Sequence, residues 1–252
     1  MDGSHALQKD GWDSVSPVVR KLNARHPLDA EAIARLEELQ SCPVRIERGR
    51  DIIEEGRSKD RIYMIRSGWA ARYKLLADGQ RQILNFIIPG DMFGILFNAL
   101  NSADQTISAI TNLEVSWCSR STLAELEAEF PQIAAAVHWE GVREWSIMCE
   151  RLVSVGRRCA THRIAHLMLE LHARLRLVNE TRGDAFDLPI TQEMIADCLG
   201  LTYVHVSRSL SKLRQRGLVS YERSHVVLVD AARLAEESGF SDDYLDHKAT
   251  VA

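Results

Sequence analysis

Several signatures that would settle a chain's chemistry are missing from this one. No run of about 18 apolar residues occurs in its 252 residues, which excludes a membrane-spanning helix. The start of the chain lacks a basic segment followed by an apolar stretch, so a cytoplasmic protein is expected. Its five cysteines, Cys42, Cys118, Cys149, Cys159 and Cys198, are scattered and form no C-x-x-C pair. That spacing argues against an iron–sulfur or zinc site and for small buried thiols, with a thiol switch at Cys159 or Cys198 as the weaker alternative. There is no phosphate-cradling glycine loop, no nucleophile elbow and no metal-ligand spacing. An enzyme is therefore not expected, and no metal or cofactor is assigned.

Excess positive charge is also lacking, since the net charge is −4. The deficit is not uniform. Residues 157 to 223 hold eleven Lys and Arg against seven Asp and Glu, a local +4, while each flank carries −4. The positive segment contains a sequence that requires two short helices. Thr191 can cap the first, with Gln192 and Glu193 in its opening turn, and Met194, Ile195, Cys198 and Leu199 form one apolar face. Gly200 stops that helix, and Thr202 caps the next, whose Val206, Leu210 and Leu213 face inward at i, i+4 and i+7. Geometry then turns Tyr203, Val204, Ser207, Arg208 and Ser211 outward, flanked by His205, Lys212, Arg214 and Arg216. Two strand-like runs follow, Leu218 to Tyr221 and His225 to Val229, around a polar tip of Glu222, Arg223 and Ser224. Two helices about a glycine turn, followed by a hairpin, predict a winged helix-turn-helix. A helix about 10–12 Å across with a central arginine suits the major groove, where Arg pairs with both acceptors of guanine.

Upstream, residues 1 to 27 read as a loose polar tail, and Asp29 to Leu39 as a helix broken by Cys42-Pro43. From Val44 the apolar period becomes two, with turn signals at residues 49–51, 54–56, 66–68, 77–79 and 89–91. This spacing predicts an antiparallel barrel or roll. Arg72, Lys74, Arg81 and Gln82 read as the solvated outer face of that roll, with an anion site as the weaker reading. Phe130-Pro131 opens a long helix reaching about Val155, whose stripe is wide enough to need two neighbours. One face is expected to cover the roll; the other, with Val142, Trp145, Cys149, Leu152 and Gly156, is expected to pair with a second copy. His138 and Trp139 are read as helix packing rather than ligand contacts. Arg163 to Val178 forms a further helix, residues 179 to 189 a polar loop, Ala231 to Glu237 a short helix, and the acidic end SDDYLDHK a disordered tail.

The order of roll, long helix and winged helix resembles the cyclic-AMP receptor and fumarate-nitrate regulator superfamily, Crp/Fnr, over about residues 30 to 230. The segments that carry the resemblance are DIIEEG at 51–56, IRSGWAARYKLLADGQRQI at 65–83, PGDMFG at 89–94 and VSR at 206–208. It implies an α+β protein: a β-roll of the cyclic-nucleotide-binding jelly-roll kind over 28–130, a dimerisation helix over 131–157, a winged helix-turn-helix over 158–230 and a tail over 231–252. It also implies a homodimeric transcription regulator of palindromic double-stranded DNA that touches RNA polymerase, with no membrane association. Arg208 matches the family's guanine reader and Ser207 the polar reader beside it. Tyr203, Val204 and Ser211 lie on the same face, while Thr191, Gln192, Thr202, His205 and Lys212 are expected on phosphates. Two departures stand out. Gly94 is followed by Ile95, and the next strand reads Gln105, Thr106, Ile107, Ser108, Ala109, without the Arg-Ser pair that holds a cyclic phosphate. The chain also lacks the N-terminal cysteine cluster of oxygen sensors, and Val204 stands where fumarate-nitrate regulators carry Glu. An effector, if one exists, is an unidentified small molecule. A small-molecule module whose winged helix contacts a protein is the alternative.

Overall fold

The computed structural model describes residues 15–57, 60–95 and 102–245. It begins with a helix where a loose tail is expected. Ser16 accepts a hydrogen bond from Val19 N, Pro17 occupies the first turn, and α1 runs Pro17–Arg25 with Val18, Val19, Lys21 and Leu22 buried. The expectation for residues 1 to 27 is corrected to that extent; residues 1–14 lie outside the described set. The signal was Ser-Pro at a helix start followed by apolar residues at i, i+1 and i+4. A second helix, α2, spans Ala30–Leu39 behind Asp29, whose side chain caps Ala32 N.

Eight strands then form the roll: β1 Val44–Ile46, β2 Asp51–Ile53, β3 Arg61–Ser67, β4 Ala70–Leu75, β5 Arg81–Ile87, β6 Met92–Phe93, β7 Thr106–Ala109 and β8 Leu113–Ser119. They make two antiparallel four-stranded sheets, ordered β1-β8-β3-β6 and β2-β7-β4-β5. Between the sheets lie Ile53, Ile65, Phe93, Ile107 and Val115, all nearly inaccessible, with Tyr63 stacked on Phe93 at 4.9 Å. The Asp78-Gly79 turn joins β4 to β5 as expected, Gly79 N donating to Leu76 O. Gly90 sits at φ +87°, and a Cβ there would meet Val178 at 2.6 Å, so no other residue fits the PGD turn.

Each sheet is covered on its outer side. The first receives α1, α2 and α3 (Arg120–Glu129), a helix capped by Ser119 that the periodicity did not isolate from its neighbours. Phe130-Pro131 separates it from the long helix α4, Pro131–Arg157, because the residue before proline is driven out of the helical region. The second sheet meets α5 (Ala160–Arg176) and the helices of the C-terminal domain, so that Trp69, Ile83 and Phe86 share one core with Leu167, Leu171 and Leu199.

That arrangement corrects the reading of Arg72, Arg81 and Gln82 as a solvated face or an anion site, while Lys74 stays at the solvated edge, its side chain 43% exposed. Arg72 pairs with Glu144 of α4, Lys74 with Glu55, and Arg81 with Asp197, while Gln82 Nε2 donates to Cys198 O at 3.3 Å. The loop expected at 179–189 is also corrected. It holds β9 (Thr181–Arg182) and β10 (Ala185–Asp187), and β10 joins the wing strands β11 (Val219–Glu222) and β12 (His225–Leu228) in the order β11-β12-β10-β9. Last comes α8, Ala231–Ser238. Part of the acidic end beyond it is packed rather than loose. Phe240 and Tyr244 contact the His166 ring at 5.0 and 5.9 Å, and Leu245 is buried; residues 246–252 lie outside the described set. Among the described residues no helix is long and apolar enough to cross a membrane, and no group of three His, Cys, Asp or Glu could hold a metal.

Candidate nucleic-acid interface

The two helices fall where the pattern required: α6 at Gln192–Leu199 and α7 at Tyr203–Gln215. Thr191 Oγ1 accepts from Met194 N at 3.1 Å, and Thr202 Oγ1 from His205 N at 3.3 Å, each cap contributing about 1 kcal/mol. Between them Gly200 is left-handed at φ +60°, closing α6 with a bond from its N–H to Ala196 O. Val206, Leu210 and Leu213 are buried to 2% exposure or less, and this fixes the rotation of α7. Tyr203 and Val204 are consequently half exposed, Arg208, His205 and Lys212 are exposed, and Ser207 is partly so. An exposed Tyr-Val pair thus stands beside Arg208, which among the described residues has no ion-pair partner, on a helix locked by its opposite face.

Not every residue on that face is equally free. Ser211 Oγ donates to Ser207 O at 2.9 Å, which turns its proton back onto its own helix. Arg214 reaches Ser211, and Arg216 is held by Glu237 of α8 at 2.6 Å, so neither flanking arginine points with Arg208. Gln192 is partly buried at the start of α6, its Oε1 without a partner. The wing turns through Arg223 and Ser224 at φ +45° and +72°, a two-residue hairpin turn with both central residues left-handed.

Along α4 the two expected faces separate. Ile133, Ala136, Val137, Trp139 and Ile147 are buried against the protein, Trp139 among Arg25, His26 and Arg143, in keeping with packing rather than ligand contact. On the opposite side Trp145 is 67% and Leu152 74% exposed, with Val142, Cys149 and Gly156 also open. A groove of about 620 Å³ runs beside Trp145, lined by Val137, His138, Gly141 and Val142.

No pattern in the chain announced what joins the domains. Asp91, in the PGD turn, is 6% exposed and receives Lys21 of α1 at 2.7 Å and Arg174 of α5 at 2.6 Å. Lys21 also pairs with Glu140 of α4; Arg174 also donates to Glu170 and to Phe86 O of β5. Both oxygens of Glu170 in turn accept from Arg151 Nη2 at 3.1 Å. Burial opposes ionisation of Asp91, but Lys21 and Arg174 outweigh it and hold the carboxyl far below the usual range. Nearby, burial pushes His166 down to about 4. Glu150 lies 3.2 Å from its Nε2 but makes no hydrogen bond to it, so desolvation wins over the carboxylate. Burial likewise pushes the Cys198 thiol up to about 11, away from the thiolate that a reactive switch needs.

A sensor-like roll, a long helix with an open apolar face and a winged helix-turn-helix define a two-domain transcription regulator. The chain belongs to the Crp/Fnr superfamily. Residues 43–129 match the cyclic nucleotide-binding domain and residues 162–237 the Crp-like helix-turn-helix domain. It is 32% identical over 208 residues to the nitrogen fixation regulation protein FixK of Bradyrhizobium diazoefficiens, covering 82% of this chain and 86% of that one. It is 29% identical over 225 residues to the transcriptional activator FnrL of Cereibacter sphaeroides, covering 85% and 87%. The structure of FixK2 from Bradyrhizobium japonicum superposes with a TM-score of 0.70 at 29% identity, over 77% of this chain and 96% of that one. The chain is thus a DNA-binding transcription regulator of the Crp/Fnr type.

Proposed function

We propose that the chain acts as a homodimer that reads a palindromic duplex with α7. The observation that carries this reading is the locked rotation of α7, which leaves Tyr203, Val204, Ser207 and Arg208 outward. Arg208 takes a guanine edge and Ser207 a neighbouring base or phosphate, while Val204 and Tyr203 make apolar contact, with a thymine methyl as the natural partner. Thr191, Gln192, Thr202, His205 and Lys212 hold phosphates and set register, and Ser211 serves chiefly to brace Ser207. Val142, Trp145, Cys149, Leu152 and Gly156 form the seam between two copies of α4, which places the two readers about 34 Å apart. RNA polymerase is the remaining partner, and the cytoplasm the place of action.

The roll does not suit a cyclic nucleotide. On β7, Ile107 is fully buried in the apolar core, and Ser108 is engaged with Asp51 and with Tyr73 Oη at 3.2 Å. The arginine of the adjacent strand, Arg72, is already paired with the partly buried Glu144. Among the described residues a cyclic phosphate would find no free buried cation there, and its charge would be left unpaired. Any effector is a small molecule of other chemistry. Selection of bound duplexes from a random pool, with and without cell metabolites, tests the reading. A palindromic consensus and an affinity that falls steeply with salt are expected. Absence of specific duplex binding at any salt overturns it in favour of a protein-contact module.

A further inference from the structure

The C-terminal end of the chain closes over the place where α5 packs back on α4. Between these helices Arg158 and Cys159 are extended, so the winged helix hangs on a non-helical bend. Two contacts steady that bend. Arg151 of α4 pairs with Glu170 of α5, and Glu150 of α4 lies 3.2 Å from His166 Nε2. Residues 239 to 245 cover both. α8 ends at Gly239, Phe240 N donates to Ala235 O at 2.9 Å, and the chain returns over α5. Phe240 meets the His166 ring edge-on at 5.0 Å and Tyr244 stacks on it at 5.9 Å, while Tyr244 Oη donates to Glu170 Oε2 at 3.3 Å. Leu245 N closes a turn on Asp242 O at 2.8 Å, and the leucine side chain is buried.

Two features mark this cover as one that opens. It lies beyond the matched helix-turn-helix domain, which ends at residue 237, so it is an addition to the reader rather than a part of it. The groups beneath it are also incompletely satisfied. Among the described residues, Arg151 Nε and Nη1 and His166 Nε2 are buried without a hydrogen-bond partner. Opening the cover lets water reach these atoms. Burial of Phe240, Tyr244 and Leu245 works against that gain, and the balance sets the position of the cover.

We propose that residues 239–245 are a lid that fixes the angle between α4 and α5, and with it the separation of the two recognition helices in the dimer. Lifting the lid lets each winged helix swing without changing what α7 reads. The inference rests on the reading of α7 as the recognition helix and of α4 as the dimer seam. With the lid down, the Arg151–Glu170 pair is shut from water and holds its geometry. With the lid up it becomes a hydrated pair, which contributes little.

The test uses the full chain and two measurements. His166 reports the lid, because burial beneath it holds the ring near pKa 4. In Tyr244→Ala its titration, followed by proton NMR and assigned against His166→Gln, is expected to rise toward 6.5. Leu245→Asp opens the lid by a second route should the first variant fail to fold, and Tyr244→Phe, which keeps the ring, is expected to keep the low value. Binding is then measured to the selected palindrome and to versions with its halves one base pair closer and one farther apart. Wild type and Tyr244→Phe are expected to prefer the selected spacing. Opening the lid is expected to cut that preference at least about fivefold, the low end of ordinary coupling between sites, and to leave base preference within each half-site unchanged. A wild-type spacing preference in a variant whose His166 titration has risen overturns the lid's control of the winged helix. A titration that stays low in both Tyr244→Ala and Leu245→Asp overturns the lid itself. No specific binding of wild type to any of the three duplexes overturns the reading of α7, and the His166 titration still decides whether the lid exists.

Discussion

Replacing Asp91 by Asn keeps the size of the side chain and removes only its charge, which makes it a clean probe of the junction between the domains. Seven buried charges gather there: Lys21, Arg143, Arg151 and Arg174 against Asp91, Glu140 and Glu170, a net +1. Asp91→Asn raises this to +2 inside a region almost closed to water. One oxygen of Asp91 serves Lys21, while the other serves Arg174 and Ile88 N. An amide NH2 facing either cation sets donor against donor. Loss of one buried partner of this kind costs about 3–5 kcal/mol, and Glu140 and Glu170, which still hold Lys21 and Arg174, keep the figure near the lower end. Urea unfolding of the full chain followed by far-ultraviolet circular dichroism measures it. With Arg174→Met, a double-mutant cycle should return a coupling above about 1 kcal/mol. A destabilisation below about 1 kcal/mol with an unchanged denaturant slope refutes the reasoning, because the cluster would then be hydrated rather than buried.

Other perturbations address the remaining parts. Arg208→Ala should cost about 1–3 kcal/mol at the selected site and flatten preference at one guanine, as read by a binding profile over single-base variants; an unchanged profile removes Arg208 from base reading. Trp145→Asp combined with Leu152→Asp puts charge into the exposed stripe of α4 and should yield a folded monomer by light scattering that no longer binds the palindrome; a dimer of normal affinity places the seam elsewhere. His166 has a folded pKa of about 4 against 6.5 for the free side chain, so the unfolded chain takes up its proton first as pH falls. Stability should therefore drop between pH 6.5 and 4, by at most about 3 kcal/mol from this group, and His166→Phe should lessen the slope. Iodoacetamide at neutral pH should label exposed Cys42 and Cys159 and spare Cys198, whose buried thiol sits near 11, until urea unfolds the protein; early labelling of Cys198 contradicts its burial.

What the sequence made legible were features that one element carries alone. The Thr caps, Gly200 and the i, i+4, i+7 spacing of Val206, Leu210 and Leu213 determine the rotation of α7, and with it which side chains face outward. The Asp-Gly hairpin is equally local. The features that escaped depend on convergence. Nothing in the spacing of Lys21, Asp91, Glu140 and Arg174 relates them, because they meet only when the α1 helix, the PGD turn, α4 and α5 are packed together. The same reason explains Arg72, Arg81 and Gln82: the pattern along β4 and β5 cannot tell solvent from another element packed against the strands. An outward basic residue on a strand is normally solvated. Here one sheet meets α4 and the C-terminal helices, so residues that look most like surface join the roll to the rest of the chain.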